Sequence, residues 1–581
     1  MGEFEAKDAK SGLTMKLWRG ERMCLIGFDV AQPEPDFVGF AIECKEPGQS
    51  DFQPLLNRIA FSYDKPPVEA VTGKRIYSSL DAPFQKFRWV HFPQDPKNGD
   101  YRYRATKLHM PQDDKLIKGD TLALTISLAP VTYDGFLDIG FTRGFASSQA
   151  FIDKFPDGTD IDKAGAKIIP GTADEGLAFS KATQPPGIYK WMGFEAHDLL
   201  FAFLKQAADD TKVTVDAFTY DFNEPDVVAL LKKLGSRLRI IVDDSKKKNK
   251  KTGEWEGHAT PGSAESQAAK ILKAAGATVK RAHFNNLQHN KVFIAKRSGN
   301  PVRVLCGSTN HTYRGLYIQS NNVLVFDQPE IAGLFAQYFQ AALDAPTKFS
   351  AHELASKWHV VQTDGKPAVH ICFSPHKDAG LSLNPVGGAI DQATSSVLYN
   401  VAFLNQIQSG PTKKSFDRLM TRDVFSYGVS DKTGGLELKK PDGSRGLVDF
   451  SSLAAKSPQP FKREWRGQRG INVHHKFVVT DFSLSTAKVF TGSSNLAVSG
   501  EEGNGDHLIM IEDRKIAIGY ALEALRIFDH LHFRNVMDEA KKKPAALLLR
   551  KPKKFSGKAA WFESSYIPDS QRAKDRELFS T

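Results

Sequence analysis

At 581 residues, 41% of them apolar and 25% charged, the chain holds enough material for two to four domains of roughly 150 residues each, which excludes wholesale disorder. No apolar run approaches the roughly 18 residues that span a bilayer, and the N-terminus lacks the apolar stretch of an export signal, so the expected location is cytoplasmic, with signal-independent secretion as the alternative. A net charge of +11 calls for an anionic partner, nucleic acid or a phospholipid surface, and four scattered cysteines supply neither a disulfide framework nor a zinc site.

Residues 1–185 predict an all-β, sandwich-like accessory domain. Short strand-like runs at 16–18, 37–43, 57–63, 87–92, 121–128 and 136–140 are separated by Pro, Gly and Asp turns, and no catalytic pattern stands among them. A link rich in Gly, Thr and Pro at 171–187 leads into strands alternating with amphipathic helices, the texture of a mostly parallel α/β sheet. Two α/β lobes are expected, 186–345 and 346–540, the second with an insertion at about 434–465 that is rich in Gly, Pro, Ser and charge. A basic C-terminal tail, 541–581, lacks apolar periodicity and is expected to pack loosely or trail free. Lysine runs at 246–251 and 541–554 read as solvated loop and tail.

The two lobes repeat one another. VTVDAFTY at 213–220 matches VLYNVAFL at 397–404, and RLRIIVDD at 237–244 matches DVFSYGVS at 423–430, with helical stretches at 224–234 and 414–421 between them. The match then becomes rigid. His289-Asn290-Lys291 aligns with His474-His475-Lys476, Gly307-Ser308-Thr309-Asn310 with Gly492-Ser493-Ser494-Asn495, and Asn321 with Asp506, all at an offset of 185. Both copies close with a predicted helix, 329–343 and 515–530.

Each His-x-Lys leads into an apolar strand, where residues two apart share a face, so each copy projects an imidazole and an ammonium together. The Gly-Ser-x-Asn that follows offers close backbone approach and neutral donors. Two copies facing one another bring His289, Lys291, Ser308 and Asn310 together with His474, Lys476, Ser493 and Asn495. Lysines and uncharged donors without carboxylates at ligand spacing make an anion pocket, with no metal and no cofactor expected. Phosphate is its natural occupant. Two histidines suit in-line displacement at phosphorus, one attacking to form phosphohistidine and the other protonating the leaving oxygen, while the lysines stabilise charge on the equatorial oxygens, a role worth about 3 kcal/mol per donor.

His474-x-Lys476-x4-Asp481 with Gly492-Ser493-Ser494-Asn495 resembles the HKD signature of the phospholipase D superfamily, and His289-x-Lys291 with Gly307-Ser308-Thr309-Asn310 resembles its partner motif. The resemblance covers about 186–540. It implies a bilobal unit with pseudo-twofold symmetry and one metal-independent active site, His289 as nucleophile, His474 as acid and base, and Asp506, Asn321 and Asp481 as orienting residues. The first copy departs from the pattern at Lys296, opposite Asp481, and at Asn321, opposite Asp506. An amide accepts the orienting hydrogen bond but stabilises imidazolium less well than a carboxylate, which leaves the assignment of the nucleophile open. His283, His311, His475 and His507 read as pocket lining or satisfied polar contacts, and Asp243-Asp244 as cleft lining or a solvated loop.

The activity so implied is hydrolysis of phospholipid head-group esters, or transphosphatidylation to small alcohols, with peripheral membrane contact. A nuclease using the same site is the alternative, favoured by the basic balance and disfavoured by the lack of a basic and aromatic stripe. A third reading is a binding protein that holds anionic lipid in a weakened site.

Overall fold

In the computed structural model Leu13, Met15 and Leu17 line one face of a strand and are fully buried, the period-two pattern of a sheet covering a core. The structure describes residues 4–62, 76–144, 150–151, 154–155, 168–181, 184–404, 407–432, 435–439, 445–449, 473–542 and 547–581. They form two units, one of 1–131, 440–446 and 518–581, the other of 132–439 and 447–517.

The first unit holds strands β1 (Glu5–Lys10), β2 (Leu13–Gly20), β3 (Met23–Val30), β4 (Phe37–Lys45), β5 (Arg88–His91), β6 (Asp100–Gln112) and β7 (Lys115–Ser127). They make two antiparallel sheets, β1-β2-β3-β5 and β7-β6-β4 with the short strand Gln53–Pro54 at its edge. Between them Phe28, Phe40, Tyr101 and Tyr103 share a core with Trp561 and Phe562. The expected tail is therefore folded here. Phe579, in the helix Gln571–Ser580, is fully buried, and its carbonyl accepts the indole N–H of Trp18 at 2.9 Å. Aromatics at irregular spacing, carrying no helix or strand period, do this burying. The expected strand at 57–63 contributes only Leu56–Asn57 before passing outside the described residues.

In the second unit the first strands are the short Thr132–Tyr133 and β8 (Leu137–Phe141), so this unit begins at 132 and not at 186. Next come β9 (Val213–Thr219), β10 (Leu238–Val242), a hairpin of β11 (Lys246–Lys248) and β12 (Trp255–Gly257), then β13 (Thr278–Arg281), β14 (Val292–Arg297), β15 (Asn300–Gly307) and β16 (Asn322–Phe326). A second set follows, β17 (His359–Val361), β18 (Ala368–Ser374), β19 (Ser396–Val401), β20 (Phe425–Lys432), β21 (Gly435–Lys439), β22 (Arg445–Asp449), β23 (Lys476–Thr480), β24 (Lys488–Gly492) and β25 (Asp506–Glu512). The sheet orders correspond, β8-β16-β15-β14-β9-β10 in one and β18-β25-β24-β23-β19-β20 in the other.

These sheets are mixed, not mostly parallel. Pairs joined through a helix run parallel, as β9 with β10 and β19 with β20. A tight turn at Ser298 and Gly299 forces β14 antiparallel to β15, and β9 pairs antiparallel with β14. Helices Pro225–Leu234 and Pro329–Asp344 start as the sequence predicts, with Pro in the first turn and the side chains of Glu224 and Gln328 capping Val227 and Glu330. Of the expected insertion at 434–465, the described backbone is β21 and β22, and 450–465 lies outside the described residues.

Candidate active site

Each His-x-Lys segment enters its strand by pairing with the loop that precedes β25 or β16 of the other lobe. The backbone N–H of His289 donates to the Gly505 carbonyl at 2.9 Å, and that of His474 donates to the Ser320 carbonyl at 3.1 Å. The residue after each acceptor loop then holds the ring. His289 Nδ1 lies 2.8 Å from Asp506 Oδ1, and His474 Nδ1 lies 2.8 Å from Asn321 Oδ1. The Asn321 amide has a fixed sense, because its Nδ2 donates to the Gly315 carbonyl at 2.9 Å and its Oδ1 accepts from Ser308 Oγ at 2.9 Å. A neutral ring that gives its Nδ1 proton to an oxygen keeps a lone pair on Nε2. In both imidazoles Nε2 is thus the ring nitrogen left outside the orienting bond.

The Gly-Ser-x-Asn turns make this docking possible. Gly307 and Gly492 have φ of +135° and +141°, and a Cβ on either would clash with the carbonyl oxygen of Asn322 or His507. Ser308 Oγ also accepts from the Asn322 N–H at 3.0 Å, and Ser493 Oγ from the His507 N–H at 3.1 Å. These serines, expected among substrate-binding groups, instead buttress the residues that orient the rings. Asn310 donates Nδ2 to Asp221 Oδ2 at 2.5 Å, while among the described residues its Oδ1 and that of Asn495 have no hydrogen-bond partner.

Lys291 and Lys476 are buried beside their own histidines. Each donates to the carbonyl of the histidine two residues earlier, and Lys476 Nζ lies 3.2 Å from His474 Nε2. Burial pushes the Lys291 ammonium down to about 8, against the pull of Asp506 and Asp221. His474 is held well below the ordinary histidine range by burial and by the charges of Lys476, Lys291 and His289. His289 is also lowered by burial, but Asp506 opposes that shift. Burial works against the Asp506 carboxylate too, yet His289 and Lys291 outweigh it and keep Asp506 ionised more readily than usual. Each lysine's charge acts on the other lobe's imidazole, so the His289, Lys291, His474 and Lys476 groups share one electrostatic site.

Asp481, the third residue expected to orient a ring, touches neither histidine. It accepts from the backbone N–H groups of Thr394, Ser395 and Ser396, capping the start of β19. Its counterpart Lys296 reaches Asp216 at 2.6 Å, a carboxylate that Arg239 also grips with two hydrogen bonds. His507 bonds Asn290 Oδ1 at 2.9 Å, His283 bonds Asp244 at 2.6 Å, and His475 packs against Phe141. His311 stacks on Phe293 at 4.4 Å, and burial and Lys291 push it down to about 3.

Tyr220, Asp221, His258 and Glu265 of the first lobe were missed from the sequence, whereas Asp243, which they surround, was read as cleft lining or a solvated loop. Tyr220 lies edge-on to His289 with centroids 4.8 Å apart, and Lys291 Nζ stands 4.9 Å from its ring. Asp221 follows it, and His258 bridges Asp221 Oδ1 at 3.1 Å and the buried Asp243 Oδ2 at 2.8 Å. Burial alone would lower His258, but its bonds to Asp221 and Asp243 raise it to about 10. Ligand atoms of Asp221, His258 and Glu265 lie within 4.8 Å of one another, the one such group with metal-ligand chemistry among the described residues. The cue was positional, since Tyr220 ends a predicted strand and Asp221 follows it, where α/β sheets place their sites.

Residues 200–343 match a family model described as cardiolipin synthase, phospholipase D-like domain. Among solved structures, the chain is similar to Nuc, a phospholipase D family member from Salmonella typhimurium, at 23% identity over 25% of this chain and 86% of that one, with a TM-score of 0.20. It is also similar to phosphatidylserine synthase of Haemophilus influenzae, at 10% identity over 60% and 91% with a TM-score of 0.38. Yeast tyrosyl-DNA phosphodiesterase matches at 12% over 54% and 86%, with a TM-score of 0.29. No curated protein matches the chain.

Proposed function

Since residues 200–343 match a phospholipase D-like domain, we propose that this chain belongs to that superfamily and that its two matching lobes form one pseudo-twofold catalytic unit that cleaves phospholipid head-group phosphodiesters through a phosphohistidine. The crossed orientation of the two rings carries this reading: Asp506 of the second lobe holds His289, and Asn321 of the first holds His474. His289 Nε2 attacks phosphorus and its ring becomes a cation, which the Asp506 carboxylate stabilises. The bond from phosphorus to the head-group oxygen breaks as His474 Nε2–H gives that oxygen its proton. Neutral His474 then takes a proton from water, whose oxygen attacks phosphorus, breaking the P–N bond and returning His289 to its starting form. Lys291 and Lys476 supply the positive charge for the equatorial oxygens, so the proposal requires no metal.

Asp221 favours a lipid over a nucleic acid. Its side chain is 40% exposed and feels the charge of Lys291, so a carboxylate borders the anion site. It would repel a polyanionic strand and accept hydrogen bonds from an ammonium or hydroxyl head group. The test is head-group release from mixed phosphatidylcholine and phosphatidylethanolamine in excess EDTA, beside single- and double-stranded DNA. Release that His289→Ala abolishes is the expected result. Nicked DNA with intact lipid would transfer the site to nucleases, and loss of turnover in EDTA would end the metal-free mechanism.

A further inference from the structure

The hairpin β11–β12 projects from the end of β10, the strand that delivers Asp243 to the candidate site. Its register pairs Lys246 with Gly257, Lys247 with Glu256 and Lys248 with Trp255. Lys246, Lys247, Lys248, Lys250 and Lys251 are exposed, and against Glu254 and Glu256 they leave an excess of three positive charges. Trp255 is 56% exposed, among the most exposed large apolar side chains of the described residues. The feature is ordered by its own bonds. Asn249 Oδ1 accepts from the Lys251 N–H at 2.8 Å, Asn249 Nδ2 donates to Glu256 at 2.6 Å, and the N–H of Asn249 donates to the Glu254 carbonyl at 2.8 Å. Its root is tied to the site wall, because the Ser245 N–H donates to Asp243 Oδ2 at 2.9 Å and the His258 N–H donates to the Ser245 carbonyl at 2.9 Å.

We propose that the β11–β12 hairpin docks the enzyme on an anionic phospholipid surface, with the lysines on the head-group charge and Trp255 in the interfacial layer. This rests on the lipid reading of the site and adds where the membrane is met. An ordered, exposed indole amid lysines has the chemistry of an interfacial anchor, since tryptophan favours the boundary between head groups and acyl chains and each lysine near an anionic leaflet strengthens binding. Nucleic acid fits less well. Lys246 Nζ stands 4.8 Å from the Trp255 ring centroid, covering one of the two faces that base stacking would use, while edge-on insertion among head groups needs neither. Anchoring at this point brings the surface to the edge of the sheet from which Tyr220, Asp221 and Asp243 emerge.

The full chain is tested by sedimentation with phosphatidylcholine vesicles with and without phosphatidylglycerol, beside a triple variant Lys246→Gln, Lys247→Gln, Lys248→Gln and the single variant Trp255→Ser. Turnover of soluble bis(p-nitrophenyl) phosphate reports the active site independently. The expected result is salt-sensitive binding that requires phosphatidylglycerol, about 100-fold weaker in the triple variant and about tenfold weaker in Trp255→Ser, with soluble turnover unchanged in both. Undiminished vesicle binding in the variants, or no binding by the wild-type chain, overturns the docking proposal while soluble turnover leaves the catalytic one standing. Tighter binding to a double-stranded oligonucleotide than to vesicles, lost in the same variants, makes the hairpin a nucleic-acid surface. Vesicle binding as expected with no turnover of any phosphodiester would overturn the catalytic reading alone.

Discussion

The two halves of the site share a backbone plan and differ in charge. Both rings are posed by a backbone bond to the opposite lobe and a side-chain oxygen at 2.8 Å, yet the oxygen behind His289 belongs to a carboxylate and the one behind His474 to an amide. Asp506 pulls His289 upward against burial. His474 has no such partner, and two lysines and burial drive it well below its ordinary range. Symmetry of fold therefore does not carry symmetry of acid–base strength. On the proposed mechanism, the carboxylate stands behind the ring that would carry positive charge for the lifetime of an intermediate, whereas the amide-backed ring would hold its extra proton only until the leaving oxygen takes it.

The sharpest way to break this comparison is to remove each ring in turn. His289→Ala should abolish turnover of every ester, a loss of at least about 10⁴-fold, because no covalent intermediate can form. His474→Ala should lose about 10³-fold on alkyl phosphodiesters but far less on a nitrophenyl ester, whose leaving group needs no proton. Single-turnover rates on the two ester types decide it. Equal losses on both esters in His474→Ala, or a nitrophenyl burst surviving in His289→Ala, would reverse the assignment.

Making the halves alike is the next test. Asn321→Asp places a carboxylate behind His474, raising its pKa and hence the fraction protonated above that pKa. For each unit gained, turnover of alkyl esters at neutral pH should rise about tenfold, until deprotonation of water becomes limiting. In the wild type the alkyl-ester rate should fall as pH rises through the depressed His474 value, and the variant's fall should sit at higher pH. A pH–rate profile that does not move would mean that Asn321 sets geometry alone.

Only the first lobe is described with a carboxylate-caged imidazolium. Because His258 is raised to about 10 in the folded chain, its contribution to stability is fully present below about 6.5, its unfolded value, and is lost as pH rises toward 10. His258→Gln leaves the buried Asp243 without its cationic partner and should cost about 3 kcal/mol near neutral pH. Thermal melts from pH 6 to 10 should show a steeper decline for the wild type than for the variant. Parallel declines would place the stabilising charge elsewhere.

Much of this was legible in the sequence because the duplicated block runs without a gap, so that His289, Lys291, Asn321, His474, Lys476 and Asp506 kept one offset. Strand and helix positions of the lobes followed from periodicity for the same reason. What escaped depended on chain direction or on contacts without a period. Parallel and antiparallel strands carry the same apolar pattern, so the sheets' mixed character was hidden. His258 meets Asp221 and Asp243 across a hairpin, and Trp561 and Phe562 meet Phe37 from the far end of the chain, so no local spacing announces either. Ser308 and Ser493 were expected at the substrate because hydroxyls suit phosphate; the geometry uses them one layer behind.

The smallest effect separates motif from mechanism. Asp481 belongs to the signature by position, yet it caps three N–H groups at the start of β19, and the first lobe dispenses with it by pairing Lys296 with Asp216. Asp481→Asn keeps one acceptor oxygen and loses the charge that three donors share, so it should cost about 1 kcal/mol of stability. The strand it starts, β19, pairs directly with β23, which carries Lys476, so the second lobe's lysine would feel the loss only through the sheet. Turnover by Asp481→Asn well below its melting transition should therefore stay within about twofold of wild type, with an unchanged pH profile. A displaced profile would show that this carboxylate acts on His474 electrostatically, and the two lobes would then differ at the ring in a second way.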